Sequence, residues 1–372
     1  MKRTIPFFSL FFALFIITGC VSAKERKPPY PIKGVCYNPI PIGQGYDYNF
    51  WKDAKELVEA DGRLMAKAGV NVVRFYQPGK DLEQTKRLIH LLYKRYKICS
   101  AVGHHLGFWE RYLDYTDSRF QKKIEKEVLG MVEALKDEPG VCLWILGNEN
   151  NRCFDNEIRV WNPKGLKAEH NKYKLAEKKA EVYYRFVNQL AKKIHQIDQR
   201  PVALGNADLS FLDVGKDLIP EVDFLAITVY RGNSFGNLFE QIKKMGKPFF
   251  FSEFGCDAYN AFLNKEDEEN QALFLSSQWK EIEKNLGPAG CWGGFVFEWT
   301  DEWWKHNEWD RNGYAVHNTE GSWANGSYYF DASGGKNMNE EWWGIIALEK
   351  REVGLDKRIP RKAYYELQRL WR

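Results

Sequence analysis

The chain has 372 residues, with 54 Lys plus Arg against 50 Asp plus Glu, a formal charge of +4, and 44% apolar residues. That apolar share excludes a disordered or collagen-like body. The near balance of charge argues against a nucleic-acid partner, because no basic surplus remains to neutralise phosphates. The length suits either two average domains or one α/β barrel.

The first element is not part of the fold. Lys2 and Arg3 precede a 13-residue apolar run from Ile5 to Ile17. A membrane-spanning helix needs about 20 residues, so this run reads as a signal peptide over 1–19. Ile17-Thr18-Gly19-Cys20 resembles a bacterial lipobox. That resemblance implies cleavage before Cys20 and a diacylglyceryl thioether on its sulfur. The expectation is an extracytoplasmic protein whose membrane partner is reached through a lipid anchor at Cys20. Val21, in place of Asp, points to an outer-membrane or surface destination. Ordinary secretion is the alternative. Residues 20–30, rich in Lys and Pro, read as a tether.

From residue 31 short apolar runs alternate with long amphipathic ones. Strands are expected at 32–37, 70–76, 98–102, 141–146, 201–204, 222–229, 248–251 and 291–297. Helices are expected near 52–68, 81–95, 117–136, 172–197, 211–219, 237–245, 266–285 and 361–371. The strands are continuous apolar runs, the signature of parallel strands buried on both faces. The fold class is therefore α/β, a single-domain (β/α)8 TIM barrel over 31–372 with a long loop insertion at 305–345. A doubly wound sheet is the rival, weakened because no Gly-rich phosphate turn follows strand one. Residues 292–343 hold eight of the 14 Trp, around strand eight and this insertion. Six cysteines lie beyond Cys20 without a CxxC spacing and read as buried thiols, although an oxidising compartment would permit pairing.

In such a barrel, chemistry collects at the C-terminal strand ends. Those ends carry Asn38, Arg74 and Tyr76, His104 and His105, Asn148 and Glu149, Asn206 and Asp208, Tyr230, Glu253, and Glu298 with Trp299. Glu149 and Glu253 follow strands on opposite sides of the barrel. Two carboxyls facing one cavity can break a glycosidic bond, one protonating the leaving oxygen and the other attacking C1 or activating water. A separation near ~5 Å would suit attack and retention.

Trp144-Ile145-Leu146-Gly147-Asn148-Glu149 resembles the acid/base motif of clan A retaining glycoside hydrolases, most of all the family 2 catalytic barrel. Phe251-Ser252-Glu253-Phe254-Gly255 resembles that family's nucleophile motif, 104 residues on, and Gly69 to Arg74 its second strand. Ile32 to Val35 and Phe297 to Glu302 are similar to its first and eighth strands. The resemblance implies Glu149 as acid/base and Glu253 as nucleophile. It further implies Asn148 on the sugar 2-OH, Arg74 and Tyr230 on Glu253, and Trp299 as the apolar floor of the −1 subsite. A pocket role for His104 or His105, and for Asn38, stands beside plain structural roles. Glu298 either contacts substrate or pairs with Arg74 or Lys305. Trp303, Trp304, Trp309, Trp323, Tyr328 and Tyr329 are candidates for cleft walls.

Family 2 enzymes carry β-sandwich domains before the barrel, which this chain lacks, so exo-acting specificity does not follow. The segment Val73-Arg74-Phe75-Tyr76 is also similar to that of family 72 glucanosyltransferases. The expected function is hydrolysis of a β-linked glycan through a covalent glycosyl-enzyme, without metal or organic cofactor. The alternatives are a transglycosylase and a non-catalytic carbohydrate-binding envelope lipoprotein.

Overall fold

A computed structural model describes residues 28–167, 169–305, 313–321 and 336–372. The signal peptide, Cys20, Trp309, Trp323, Tyr328 and Tyr329 lie outside the described residues. Eight parallel strands close into a barrel: β1 (Ile32–Cys36), β2 (Val72–Phe75), β3 (Cys99–His104), β4 (Val141–Leu146), β5 (Val202–Ala207), β6 (Phe224–Thr228), β7 (Phe249–Gly255) and β8 (Cys291–Phe297). β1 pairs with β2 on one side and β8 on the other, completing the ring. The (β/α)8 expectation is met, and the strand positions agree with those expected from the apolar runs.

Each strand is buried twice, which explains its unbroken apolar character. One set of side chains, including Ile32, Val72, Ala101, Ile145, Ala226 and Phe295, fills the barrel interior. The other set, including Val35, Val73, Val102, Trp144, Ile227 and Val296, packs under the helices. The four longest helices among the described residues start on side-chain caps. Asp81 accepts from the backbone N–H of Glu83 and Gln84, Asp117 from Arg119, and Asn171 from Tyr173 and Lys174. Each such cap contributes about 1 kcal/mol.

Three features were not visible in the sequence pattern. β7 runs on to Gly255, so Glu253 lies within the strand rather than after it. The register of β6 on β7 shifts between Ile227 and Thr228, which pairs Thr228 with Glu253. Such a bulge lets two successive side chains serve one face. The end of the insertion returns to the barrel mouth: Glu298 N–H donates to Trp343 O (3.1 Å), and Ile345 N–H donates to Glu298 O (3.0 Å). An antiparallel hairpin, Ile346–Glu349 with Lys357–Pro360, then leads into the last helix, Lys362–Trp371. Arg361 locks the return, donating to both carboxylate oxygens of Asp301 (2.7 and 2.8 Å) with both side chains 1% exposed.

Candidate active site

Glu253 is brought to the barrel mouth by β7 and is held by three donors. Arg74 Nη1, from β2, donates to Oε1 at 2.8 Å and to the Ser252 carbonyl at 2.8 Å. Tyr76 OH donates to the same Oε1 at 2.9 Å, and Tyr230 OH, beyond β6, donates to Oε2 at 2.7 Å. Burial raises both phenols well above their ordinary pKa, with the negative charge of Glu253 adding to it. Both therefore stay protonated donors across the physiological range. Burial works against the charge on Arg74, but its pairing with the Glu253 carboxylate outweighs it and holds the guanidinium pKa above its usual value. Arg74 also lies over the Tyr76 ring at 4.3 Å, so one cation clamps the carboxylate and braces its second donor.

Glu149 stands opposite, on the turn after β4. Its backbone is left-handed, with φ 55°, directly after Gly147 at φ 82° and Asn148. A non-glycine residue in this region is strained and persists only when its surroundings fix it. Here Asn150 fixes it. Its Oδ1 accepts from Asn148 N–H (2.8 Å), while its Nδ2 donates to His105 O (3.0 Å) and Tyr115 OH (2.8 Å). Asn151 pins the same turn to β5 by exchanging hydrogen bonds with Ala207 at 2.8 and 3.0 Å. Gly205 on β5 is required here, because a Cβ would press into the Gly147 carbonyl.

The Glu149 side chain is 22% exposed, and its pKa is pushed up to about 7. Burial is the main cause and the negative charge of Glu253 the second, with Arg152 opposing both from 3.5 Å. Two carboxyls in one mouth are thus set apart: one is gripped as an acceptor, and the other holds a proton near neutrality. Asn148 links them, its Oδ1 accepting from Arg74 Nη2 at 2.7 Å, which turns its NH₂ group away from the arginine.

Not every expected site residue faces the mouth. Trp299 does not form the floor: it is 0% exposed, lies in the layer between barrel and helices, and packs edge-on against Tyr364 of the last helix at 6.3 Å. Phe297 and Trp343 occupy the interior instead, their rings 5.5 Å apart and 6.3 and 4.9 Å from Tyr230. Residues two apart share a face only while a strand stays regular; β8 ends at Phe297, so Trp299 lies beyond the alternation and turns to the helix layer while Phe297 points inward. Truncating Trp299 to Ala is expected to cost about 3–5 kcal/mol of stability without changing KM in the folded fraction. Truncating Phe297 to Ala is expected to raise KM severalfold, and melting curves beside kinetics separate the two.

His104 is also turned away. Its Nδ1 accepts from Leu106 N–H (3.0 Å), and its Nε2 lies 3.8 Å from Glu127 on the surrounding helix. His105 takes the mouth position, stacked on Tyr76 at 6.0 Å with its Nε2 3.4 Å from Tyr46 OH. Burial lowers its pKa to about 3, so it stays neutral. Asn38 is half-buried and donates to Glu302 Oε1 at 2.7 Å. Glu298 is buried beside Glu302 and Lys305, not Arg74, and burial followed by the Glu302 charge raises its pKa well above the carboxylate range. Asn206 faces the helix layer, where it accepts from Tyr184 OH (2.9 Å), and Asp208 is paired with both donors of Arg231 (2.6 and 2.9 Å). Trp304 is buried with Ile40 and Tyr314, and Trp303 stacks on His317 at 4.3 Å. The second donor Tyr76, together with Tyr46, Glu302 and Trp343, carried no sequence signal of its role beyond the place of Tyr76 at the end of strand two.

No family model matches the sequence. Among curated proteins, a 1,3-beta-glucanosyltransferase of Aspergillus fumigatus is 26% identical over 289 residues, covering 73% of this chain and 54% of that protein. The chain thus spans about half the length of the curated relatives it matches. Among solved structures, a GH2 beta-galacturonidase from Eisenbergiella tayi bound to galacturonate superposes with a TM-score of 0.53 at 15% identity, covering 92% of this chain and 51% of that one. A Bacteroides uniformis beta-glucuronidase reaches 0.60 at 15% identity, covering 92% and 35%. These likenesses establish the barrel fold. They also fall on the two groups that the strand-end motifs resemble, the family 2 barrel and the glucanosyltransferases.

Proposed function

We propose that this chain is a retaining β-glycosidase. Glu253 attacks C1 of the bound sugar while Glu149 gives its proton to the leaving oxygen, so the C1–O bond breaks as the Glu253–C1 bond forms. Water then adds to C1, passing its proton to Glu149 and releasing Glu253. The observation that carries this reading is the contrast of the two carboxyls at one mouth. Glu253 has Arg74, Tyr76 and Tyr230 on its oxygens, while Glu149 has its pKa near 7. A sugar hydroxyl in place of water gives transfer instead of hydrolysis. The likeness to a 1,3-beta-glucanosyltransferase favours testing that reaction beside hydrolysis.

The test is turnover of a panel of β-linked glycans by the folded domain, with the first-formed anomer read by proton NMR. Release of the β-anomer, or chain lengthening with retention, is expected. Release of the α-anomer would sink the double displacement, and glycan binding without turnover across the panel would leave only a binding role.

The N-terminal motif supports a further part of the reading, that the enzyme works at a cell surface anchored through Cys20. Palmitate labelling of the expressed protein is expected in the wild type and lost in Cys20→Ala. Equal labelling of both would remove the anchor.

A further inference from the structure

We infer that the mouth selects uncharged over anionic glycans, through a buried carboxylate cluster built on the β8 side. This rests on the glycosidase reading above and deepens it. Lys305 lies 4.4 Å over the ring of Phe297, which itself lies against Tyr230, the donor to Glu253. That places Lys305 two rings, Phe297 and Tyr230, away from Glu253, on the side of the mouth where a cation would serve to bind an acidic sugar. Its charge is already taken: Nζ lies 3.0 Å from Glu302 Oε2 and 3.2 Å from Glu340 Oε2. Glu298 adds a third carboxyl to the cluster, 1% exposed, with one oxygen that finds no hydrogen-bond donor among the described residues.

The acid/base side has the same bias. Arg152 is shared by Glu149 (3.5 Å) and Glu157 (2.7 Å), and Arg74 is committed to Glu253 at 2.8 Å. Around the two catalytic carboxyls, Arg74, Arg152 and Lys305 are thus each already held by carboxylates, Arg74 by Glu253, Arg152 by Glu149 and Glu157, and Lys305 by Glu302 and Glu340. A carboxylate on a bound sugar would enter a partly desolvated site whose described cations are already held by carboxylates, where like-charge repulsion is weakly screened. Repulsion of the wrong partner is an ordinary source of specificity. The solved barrels that superpose on this chain include enzymes whose sugars are uronates, so the matched uronate is the informative competitor.

The experiment compares kcat/KM on paired aryl glycosides, β-glucoside with β-glucuronide and β-galactoside with β-galacturonide, for wild type and Glu340→Gln. Glu340 is partly exposed at 28%, so the variant is expected to fold, as a melting curve checks. Within the pair that is turned over, the neutral member is expected to be preferred at least about tenfold. Glu340→Gln returns part of the Lys305 charge and should narrow that preference severalfold. A uronide turned over as fast as its neutral partner overturns the inference and leaves the glycosidase reading intact. An unchanged ratio in Glu340→Gln overturns the assignment to this cluster. No turnover of any member, with no turnover across the wider glycan panel, sinks both readings together.

Discussion

Glu253→Gln is expected to lower kcat by about five orders of magnitude, the largest effect of any single substitution in this chain. The variant keeps the side-chain volume but loses the attacking oxygen anion, so no glycosyl-enzyme forms. It also leaves Arg74, 1% exposed, without its anionic partner. Breaking one side of a buried pair costs about 3–5 kcal/mol, so the melting temperature should fall as well. The two effects are separable. Glu253→Ala with added azide opens a single displacement from the opposite face, and a β-linked substrate then gives an α-glycosyl azide. Azide acting on Glu149→Ala instead meets the glycosyl-enzyme and gives the β-azide. A β-azide from the Glu253 variant would show that another residue is the nucleophile.

The second large effect belongs to Glu149. As a proton donor it must start in its acid form, and its pKa lies at about 7. Activity is therefore expected to hold below pH 7 and to fall about tenfold per pH unit above it, as the acid form is lost. Glu149→Gln should lower kcat by about 10²–10⁴ on substrates with poor leaving groups and remove that basic limb. Arg152 acts in the opposite sense to burial, drawing the pKa down. Arg152→Ala should therefore move the limb to higher pH, and a limb moving lower would refute the assignment. The cause of the shift also suits the second half-reaction. Part of it is the negative charge of Glu253, and that charge disappears when Glu253 is esterified to the sugar. The Glu149 pKa then falls, and the group that gave a proton becomes a base able to take one from water.

The barrel and its two carboxyls were legible in the sequence for local reasons. A run such as Val141 to Leu146 can be buried on both faces only in a covered parallel sheet, and its polar neighbours Asn148 and Glu149 mark the mouth end by position alone. The pairing of Arg74 with Glu253 followed from charge and from the family likeness, although 179 residues separate them. The side of the strand on which a residue falls was not legible. When both faces of a strand are apolar, alternation no longer marks inside from outside, which is why Trp299 was placed in the pocket that Phe297 occupies, and why the choice between His104 and His105 stayed open until the fold turned His105 to the mouth.

What the sequence determined, then, is what short-range pattern can encode: eight doubly buried strands, amphipathic helices between them, and two glutamates at strand ends. The tertiary structure alone decided which side chains meet. The bulge that sets Glu253 in β7, the second donor Tyr76, the return of Trp343 at the end of the insertion, and the Glu302–Lys305–Glu340 cluster all depend on register and loop closure. A register shift of one residue moves a side chain to the opposite face without changing the composition of the strand. The chemistry of this mouth is therefore written in contacts between distant segments, and only the closed barrel brings them within hydrogen-bonding distance.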